Sequence, residues 1–259
     1  MAESEETIRQ MWHDWFMTDA YQAEKRVFKF FRLLPHDPRC KLCHSPFEGI
    51  GGMFVKLFLG RKRSNLNPRF CNICENFSKK YPGGADVEMS MLFVDVRNST
   101  SLSEQMSPSE YKKMINRFYV GVSQVVAEED GLVESLTGDA VAAFWGAGFA
   151  GQNYVARTLR TAQNIQRRMQ MEEIPVGIGV NAGVAYFGAM GSADGLTDIS
   201  AIGEEVNTAA RLASKAATGE IIVSEAALAM TDIDRAGLEA RSLELKGISK
   251  PVPARVMHG

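Results

Sequence analysis

The chain has 259 residues, a formal net charge of -2 and 45% hydrophobic residues. This composition is typical of a globular protein with a packed core, and it excludes a disordered or fibrous chain. The nearly balanced charge argues against a nucleic-acid partner, so any polyanion site must be local. The length favours one substantial domain with a smaller appended unit.

The N-terminal sequence MAESEETIRQ is acidic and polar. It lacks the apolar stretch and cationic flank of a signal peptide. No later run approaches the roughly 18 to 20 apolar residues that are needed to cross a bilayer. The sequence therefore predicts a cytoplasmic protein without a membrane partner.

Three regions are predicted along the chain. Apolar side chains recur at a loosely helical spacing between Glu5 and Leu34, which predicts one or two helices in an N-terminal helical segment, 1–38. A short, loop-rich unit with prolines and cysteines follows at 39–84, and the run Tyr81-Pro-Gly-Gly predicts a linker at its end. The remaining residues, 85–259, form the main domain.

All four cysteines fall in two C-x-x-C pairs, Cys40/Cys43 and Cys71/Cys74. Two chelating turns with four thiolates suit tetrahedral zinc. The spacing between the pairs is longer than in the common zinc pattern, so iron or an iron–sulfur cluster stays as an alternative. Disulfides are disfavoured in a chain without an export signal.

Beyond the linker, short apolar runs alternate with segments of helical spacing. The order predicts an α+β fold, the ferredoxin-like split βαβ arrangement, with a central, mainly antiparallel sheet and helices. The predicted strands are 90–96, 132–136, 140–145, 176–187, 198–202, 221–223 and 243–246, and the predicted helices begin near Pro108, carry Val155 to Met169, and span 204–217.

Two aspartates are predicted to meet at one end of this sheet. Asp95 ends a buried strand, and Asp139 lies in the turn Thr137-Gly138-Asp139 of a hairpin. Paired carboxylates suit two hard cations, magnesium or manganese, which prefer oxygen ligands. Taken singly, each is equally explained as a turn-forming aspartate.

Two further groups suit phosphate chemistry. The run Arg97-Asn98-Ser99-Thr100 follows Asp95 and either caps a helix or cradles an anion with its backbone amides. Asn207 and Arg211 share one face of a predicted helix. A guanidinium suits charge that develops on a transferring phosphoryl group, although a solvated polar face explains such a pair equally well.

The set of segments from Met89 to Val256 closely resembles the class III adenylate and guanylate cyclase catalytic domain. The matching segments, in family order and spacing, are FVDVRNST, LTGDAVAAFWG, GIGVNAGVAYFGAMG, ISAIGEEVNTAARL and LELKGISKPV.

The resemblance implies a role for each matching residue. Asp95 and Asp139 match the two metal-binding aspartates, with the backbone of Val96 beside them. Asn207 matches the ribose-orienting asparagine and Arg211 the transition-state arginine. Lys246 matches a region that supplies a triphosphate-binding lysine.

In this family the metal pair and the Asn/Arg pair come from different subunits. The resemblance therefore implies a homodimeric lyase that makes a cyclic nucleotide and pyrophosphate from a nucleoside triphosphate by two-metal catalysis. Such an enzyme serves signal transduction.

The sequence departs from the family at the positions that read the base. The usual lysine four residues before Asp139 is Ser135, and the usual aspartate or threonine seven residues before Asn207 is Ser200. ATP is the expected substrate because it is the family's commonest one. GTP or a pyrimidine triphosphate stays open, as does a nucleotide-binding regulatory protein with little turnover.

Overall fold

The computed structural model describes residues 4–35, 38–191 and 195–259. The predicted N-terminal segment, 1–38, therefore lies partly outside the described residues. The chain divides into two compact units. The first comprises Met1–Val87 and Tyr186–Ala201, and the second comprises Glu88–Ala185 and Ile202–Gly259.

Helices and strands alternate through most of the chain. The helices are α1 (Glu5–Met17), α2 (Gln22–Leu33), α3 (Gly49–Leu59), α4 (Asn72–Lys80), α5 (Ser99–Gln105), α6 (Pro108–Glu128), α7 (Ala147–Ala150), α8 (Tyr154–Met171), α9 (Glu204–Lys215) and α10 (Glu225–Ala229). The strands are β1 (Gly83–Val96), β2 (Leu132–Thr137), β3 (Ala140–Trp145), β4 (Val176–Gly191), β5 (Thr197–Ile202), β6 (Glu220–Ser224), β7 (Glu239–Leu243) and β8 (Val252–His258). Among the described helices, none combines the length and apolarity that crossing a bilayer requires.

The strands form one sheet in the order β2-β3-β1-β4-β6-β8-β7, and β5 pairs with β4 outside this path. β1 and β2 run antiparallel to β3, β8 runs antiparallel to β6 and β7, and β4 runs parallel to β6. This architecture confirms the predicted α+β class with a mainly antiparallel sheet.

The second unit is built around the central strand β1. Ser90, Met91 and Leu92 are consecutive and fully buried. Because successive strand residues point to opposite faces, both faces of β1 are covered at this point. The short apolar run that predicted the strand is therefore part of the core of the unit.

Helix α6 begins where the sequence predicts. Ser107 is its N-cap, Pro108 takes the first turn, and Glu110 completes a capping box with Ser107. Phe118, Val122 and Val126 form its buried face. The helix packs against α8, β2 and β3.

An aromatic cluster joins the helices of the first unit. The indole of Trp12 donates a hydrogen bond to the Tyr81 carbonyl at 3.1 Å. The rings of Trp12 and Phe77 have centroids 5.3 Å apart, and those of Phe16 and Phe187 are 4.4 Å apart. Large buried rings dominate the packing energy of a small core, so this cluster holds α1 and α4 to the end of β4.

Three sequence predictions are corrected. β1 starts at Gly83 rather than at Ser90, so Gly83 and Gly84 are strand residues and not part of a linker. A Cβ on Gly84 would lie 2.3 Å from the Phe187 carbonyl oxygen, which shows that the glycine is needed for close backbone contact.

The other two corrections concern the cysteine-containing unit and the strand that was predicted at 243–246. The unit around the cysteines is not loop-rich throughout, because it contains α3 and α4. The strand predicted at 243–246 lies earlier, at Glu239–Leu243, and Lys246 lies in the turn after it. Leu245 is buried as a core residue outside any strand, which explains why its apolar neighbourhood resembled one.

Gly179 of β4 provides a test of the packing between the sheet and α9. A Cβ at this position would lie 2.2 Å from the Ala213 nitrogen and 2.4 Å from the Ala209 oxygen. We expect Gly179→Ala to lower the free energy of unfolding by about 1–3 kcal/mol, because backbone atoms cannot move aside as side chains do. Urea denaturation measures this, with Gly237→Ala as the control because its Cβ would meet no atom within 4 Å. Equal loss in both variants would contradict the close contact.

Candidate active site and cysteine cluster

The β1–β3 pairing brings the two predicted metal-binding aspartates together. Asp95 lies opposite Ala140 in the antiparallel register, so it lies beside the turn that carries Asp139. The Val96 amide donates a hydrogen bond to the Asp139 carbonyl at 2.9 Å. Gly138 has φ of +61°, which lets two residues close the hairpin.

Each carboxylate already has a partner within the second unit. A guanidinium nitrogen of Arg97 lies 2.5 Å from an Asp95 oxygen, and the Ser99 hydroxyl donates to the Asp139 carboxylate. Burial raises the pKa of the Asp95 carboxyl above its ordinary value, Arg97 opposes this rise, and the charge of Asp139 adds to it. A cation between the two carboxylates would relieve their mutual repulsion.

The hairpin turn is also held from α6. The Tyr119 hydroxyl donates a hydrogen bond to the Gly138 carbonyl at 2.7 Å. Burial, followed by the negative charge of Asp139, raises the pKa of Tyr119, so its hydroxyl stays a donor. Tyr119 was not predicted from the sequence, although a tyrosine on the helix that directly precedes the hairpin was a usable signal.

The residues predicted to bind triphosphate, Arg97 to Thr100, fall into two parts: Arg97 contacts its own chain, and the next three residues begin α5. The Arg97 side chain donates to the carbonyls of Ser214 and Ala216, each at 3.2 Å, and its amide donates to Pro175 at 2.8 Å. Asn98 adopts the left-handed conformation with φ of 55° and precedes α5. Ser99 and Thr100 therefore offer the first amides of a helix, which lack intrahelical acceptors.

Asn207 and Arg211 lie on one exposed face of α9. The neighbouring face of the helix, with Thr208, Ala209 and Leu212, is buried. In the described part of the chain, neither side chain has a hydrogen bond or an ion pair. Both are therefore free to contact a ligand or a second molecule.

The predicted base-reading serines lie on different strands. Ser135 is on β2, next to a β-bulge between Val133 and Ser135 that shifts the register with β3. Bulges re-aim side chains and are common beside active sites. Ser200 is on β5, and both serines are partly buried. Lys246 is exposed in the turn after β7, and within the described residues no hydrogen bond or ion pair joins it to Asp95 or Asp139.

The four cysteines form one compact cluster in the first unit. All are buried and unpaired by disulfides, and their sulfur atoms lie within 4.8 Å of one another. The sulfurs of Cys43 and Cys71 are 3.7 Å apart. A tetrahedral zinc with bonds of about 2.3 Å would place its sulfur ligands about 3.8 Å apart, so the donor set fits a single metal ion.

The surroundings of the cluster offer positive charge and hydrogen-bond donors to the sulfur atoms. An Arg61 nitrogen lies 3.4 Å from the Cys43 sulfur and 3.5 Å from the Cys71 sulfur, and the Cys71 amide donates to the Cys40 sulfur at 3.2 Å. Hydrogen bonds from the other three cysteines, that of Cys40 first, lower the pKa of the Cys71 thiol far below its ordinary value, whereas the hydrogen bond with Cys40 is the main cause that raises the pKa of Cys43 and of Cys74. A cation and amide donors offset the negative charge of a metal bound by four thiolates.

His44 directly follows the first cysteine pair but lies outside the cluster. Its backbone has φ of 60°, and its ring is 3.5 Å from an Arg32 nitrogen. Burial, with the charges of Arg32 and Arg39, lowers the pKa of His44 to about 3, so the imidazole is neutral. Among the described residues, the four cysteines form the group that could hold a metal ion, and His44 is not part of it.

Comparison with known proteins shows that residues 85–252 match the family described as the adenylate and guanylate cyclase catalytic domain. An uncharacterised protein of Mycobacterium bovis is 32% identical over 176 residues, which are 66% of this chain and 32% of that protein. Adenylate cyclase 1 of Rhizobium meliloti is 30% identical over 135 residues, which are 48% of this chain and 20% of that protein. The chain thus spans about a third or less of these curated relatives.

Solved structures resemble the same part of the chain. The guanylyl cyclase Cya2 has a TM-score of 0.62 and 25% identity, covering 67% of this chain and 93% of that one. The adenylyl cyclase CyaB from P. aeruginosa has a TM-score of 0.60 and 22% identity, covering 67% of this chain and 95% of that one. The second likeness shows the fold alone.

Proposed function

Because the chain belongs to the adenylate and guanylate cyclase catalytic domain family, we propose that it is a nucleotidyl cyclase that converts a nucleoside triphosphate, ATP first, to the 3′,5′-cyclic nucleotide and pyrophosphate. The observation that carries this proposal is the meeting of Asp95 and Asp139 at one end of the sheet. Their half-exposed carboxylates suit hard divalent cations.

Two Mg²⁺ or Mn²⁺ ions, when bound, supply Lewis acidity toward the ribose 3′-hydroxyl and the phosphates. Asp95 and Asp139 would hold them, together with the backbone carbonyl of Val96. For Asp95 this means exchanging its partner Arg97 for a metal ion, since the two are paired at 2.5 Å. The negative charge of the Asp95 carboxylate would then be paired with a positive charge both with and without the metal ion.

The remaining steps fall to donors aimed at the phosphates. The 3′-oxygen forms a bond to the α-phosphorus, the bond to pyrophosphate breaks, and the hydroxyl proton leaves to water. Amides at the start of α5, from Ser99 and Thr100, suit the phosphate oxygens. Arg211 suits the charge that develops at the α-phosphorus, and Asn207 suits the ribose.

We propose that the enzyme is a homodimer with two equivalent sites. Asn207 and Arg211 face solvent on α9, and within the described residues they bind nothing of their own chain. The family resemblance assigns such a pair to the site of a second subunit. A C2 dimer would use each surface twice and complete both sites.

The choice of ATP rests on the family and not on the base-reading positions. Ser135 and Ser200 each offer a hydroxyl that donates and accepts, so neither distinguishes adenine from guanine by charge. The bulge beside Ser135 sets the direction of that side chain. Similar solved structures include both an adenylyl and a guanylyl cyclase.

We further propose that the cysteine cluster holds a structural zinc ion. Four buried thiolates form a closed ligand set without an open position, as in structural zinc sites. Iron would use the same ligands, and its colour distinguishes it.

Loss of either carboxylate tests the two-metal assignment. We expect Asp95→Asn and Asp139→Asn to reduce cyclisation by at least about 100-fold, because a neutral amide holds divalent cations poorly. The assay offers ATP, GTP, CTP and UTP separately with Mn²⁺ and quantifies pyrophosphate and each cyclic product, with ATP expected to give most. Asp232→Asn, at an exposed loop position, is the matched control. Wild-type turnover in either site variant would overturn the assignment.

Subunit mixing tests the shared site. An Asp139→Asn chain and an Arg211→Ala chain should each be inactive alone, but their heterodimer contains one complete site. With random exchange at equal amounts, activity should recover to about a quarter of the wild-type value. Native mass spectrometry confirms that exchange took place. Exchange without recovery would show that each chain builds its own site.

Elemental analysis tests the cysteine cluster. We expect about one zinc per chain in the purified protein, and a Cys71→Ser variant should lose the metal and unfold its first unit at lower temperature. The Cys71 sulfur accepts hydrogen bonds from Arg61 and from the Cys74 amide. Its loss therefore removes a candidate metal ligand together with these two hydrogen bonds. A metal-free wild-type chain with the same melting profile would refute a structural metal, and visible absorption would indicate iron.

A further inference from the structure

The first residues of β5 are held by a side chain from inside a chelating turn. Lys41 lies between Cys40 and Cys43, and its ammonium donates to an Asp198 carboxylate oxygen at 2.8 Å and to the Ile199 carbonyl at 2.7 Å. The Lys41 side chain is only 6% exposed. Burying a lysine to this degree costs free energy unless its charge is paired. The position of Lys41 therefore depends on β5, and the position of β5 depends on Lys41.

The second cysteine pair supplies the other half of this contact. Arg69, two residues before Cys71, donates to the second Asp198 oxygen at 3.1 Å. The Lys41 amide donates to the Arg69 carbonyl at 2.8 Å, which ties the two cations together. Both oxygens of Asp198 are therefore bound by cations that flank the metal ligands.

Two buried polar side chains extend the contact to Thr197. The Asn67 amide donates to the Thr197 carbonyl at 2.8 Å, and the hydroxyls of Ser78 and Thr197 are 2.8 Å apart. Ser78 lies on α4, whose N-cap is Cys71. All of these residues lie within the first unit. We call Lys41, Asn67, Arg69 and Ser78 the β5 clamp.

Ser200 follows two residues after Asp198 on the same strand, and the chain then continues into α9 with Asn207 and Arg211. We propose that Lys41 and Arg69 are positioning residues for the nucleotide site: they transmit the order of the cysteine cluster to β5, so that metal loading of the cluster and nucleotide binding strengthen each other. The nucleotide half of this inference rests on the proposed cyclase function.

The coupling between the cysteine cluster and β5 follows from the backbone turn that carries Lys41. The Cys40 amide donates to the Ser45 carbonyl and the His44 amide to the Cys40 carbonyl, each at 2.9 Å, which makes the first pair a tight turn with Lys41 at its tip. Metal bonds from both cysteine pairs would fix this turn against Arg69. Without the metal the turn loses its main constraint, and Lys41 loses its fixed distance to Asp198.

Hydrogen exchange tests the structural half of the proposal without any activity. Lys41→Met and Arg69→Met should speed amide exchange in a peptide covering 197–202 by at least about fivefold, while a Lys56→Met control on the exposed face of α3 should not. Lys41→Arg should restore slow exchange because it keeps the cation. Metal content is measured in each variant. If Lys41→Met holds less metal, the conclusion is drawn from Arg69→Met, because Arg69 lies outside the chelating turn. Unchanged exchange in both variants would overturn the clamp.

Zinc affinity tests the coupling to nucleotide. By thermodynamic reciprocity, a nucleotide that binds the loaded protein more tightly must also retain the metal. We expect α,β-methylene-ATP with Mg²⁺ to tighten zinc binding, measured as equilibrium competition with a chelator, by at least about fivefold in the wild-type chain and to have no effect in the Lys41→Met or Arg69→Met chain. Equal zinc affinity with and without nucleotide, where calorimetry shows that the nucleotide binds, would refute the coupling. Absence of nucleotide binding would instead refute the proposed function and leave the exchange result to judge the clamp.

Discussion

The antiparallel register between β1 and β3 is the constraint on which the candidate site depends. A shift by one residue would turn Asp95 to the other face of the sheet and separate it from Asp139. The register is held by the buried run of β1, by the two-residue turn at Gly138, and by the hydrogen bond from Val96 to Asp139. Tyr119 closes the same turn from α6, so the site has support from sheet and helix alike.

The parts of this arrangement that were predictable from sequence are those with a local signal. A buried strand ending in Asp95 and a glycine turn before Asp139 are such signals, and the structure brings the two residues together. The bulge at Ser135 has no local signal, because it arises from how β2 pairs with β3. The hydrogen bonds from Arg97 to the carbonyls of Ser214 and Ala216, at the end of α9, are also nonlocal. Gly84 was misread as a linker residue since only the packing on Phe187 shows why glycine is required.

The two candidate metal sites differ in the physical means by which negative charge is tolerated. The aspartates are partly exposed, and a metal ion and solvent can replace their partners, which are Arg97 for Asp95 and Ser99 for Asp139. The cysteine sulfurs are buried, and Arg61 and a backbone amide lie beside them. Exchangeable partners suit ions that come and go with a substrate, whereas fixed partners suit a resident ion.

The position of β5 in the sheet explains why side chains from the cysteine module bear on it. β5 lies outside the main path of strands and pairs with β4, so among the described strands it has one neighbour where β1 has two. A strand with a single partner gains less from the ladder and is opened at lower cost. Its order must then come from elsewhere, and the ion pairs to Asp198 and the hydrogen bonds to Thr197 supply it. These bonds originate beside the candidate metal ligands, so in the coupling proposed above it is the strand carrying Ser200 that would link the cysteine cluster to a bound nucleotide.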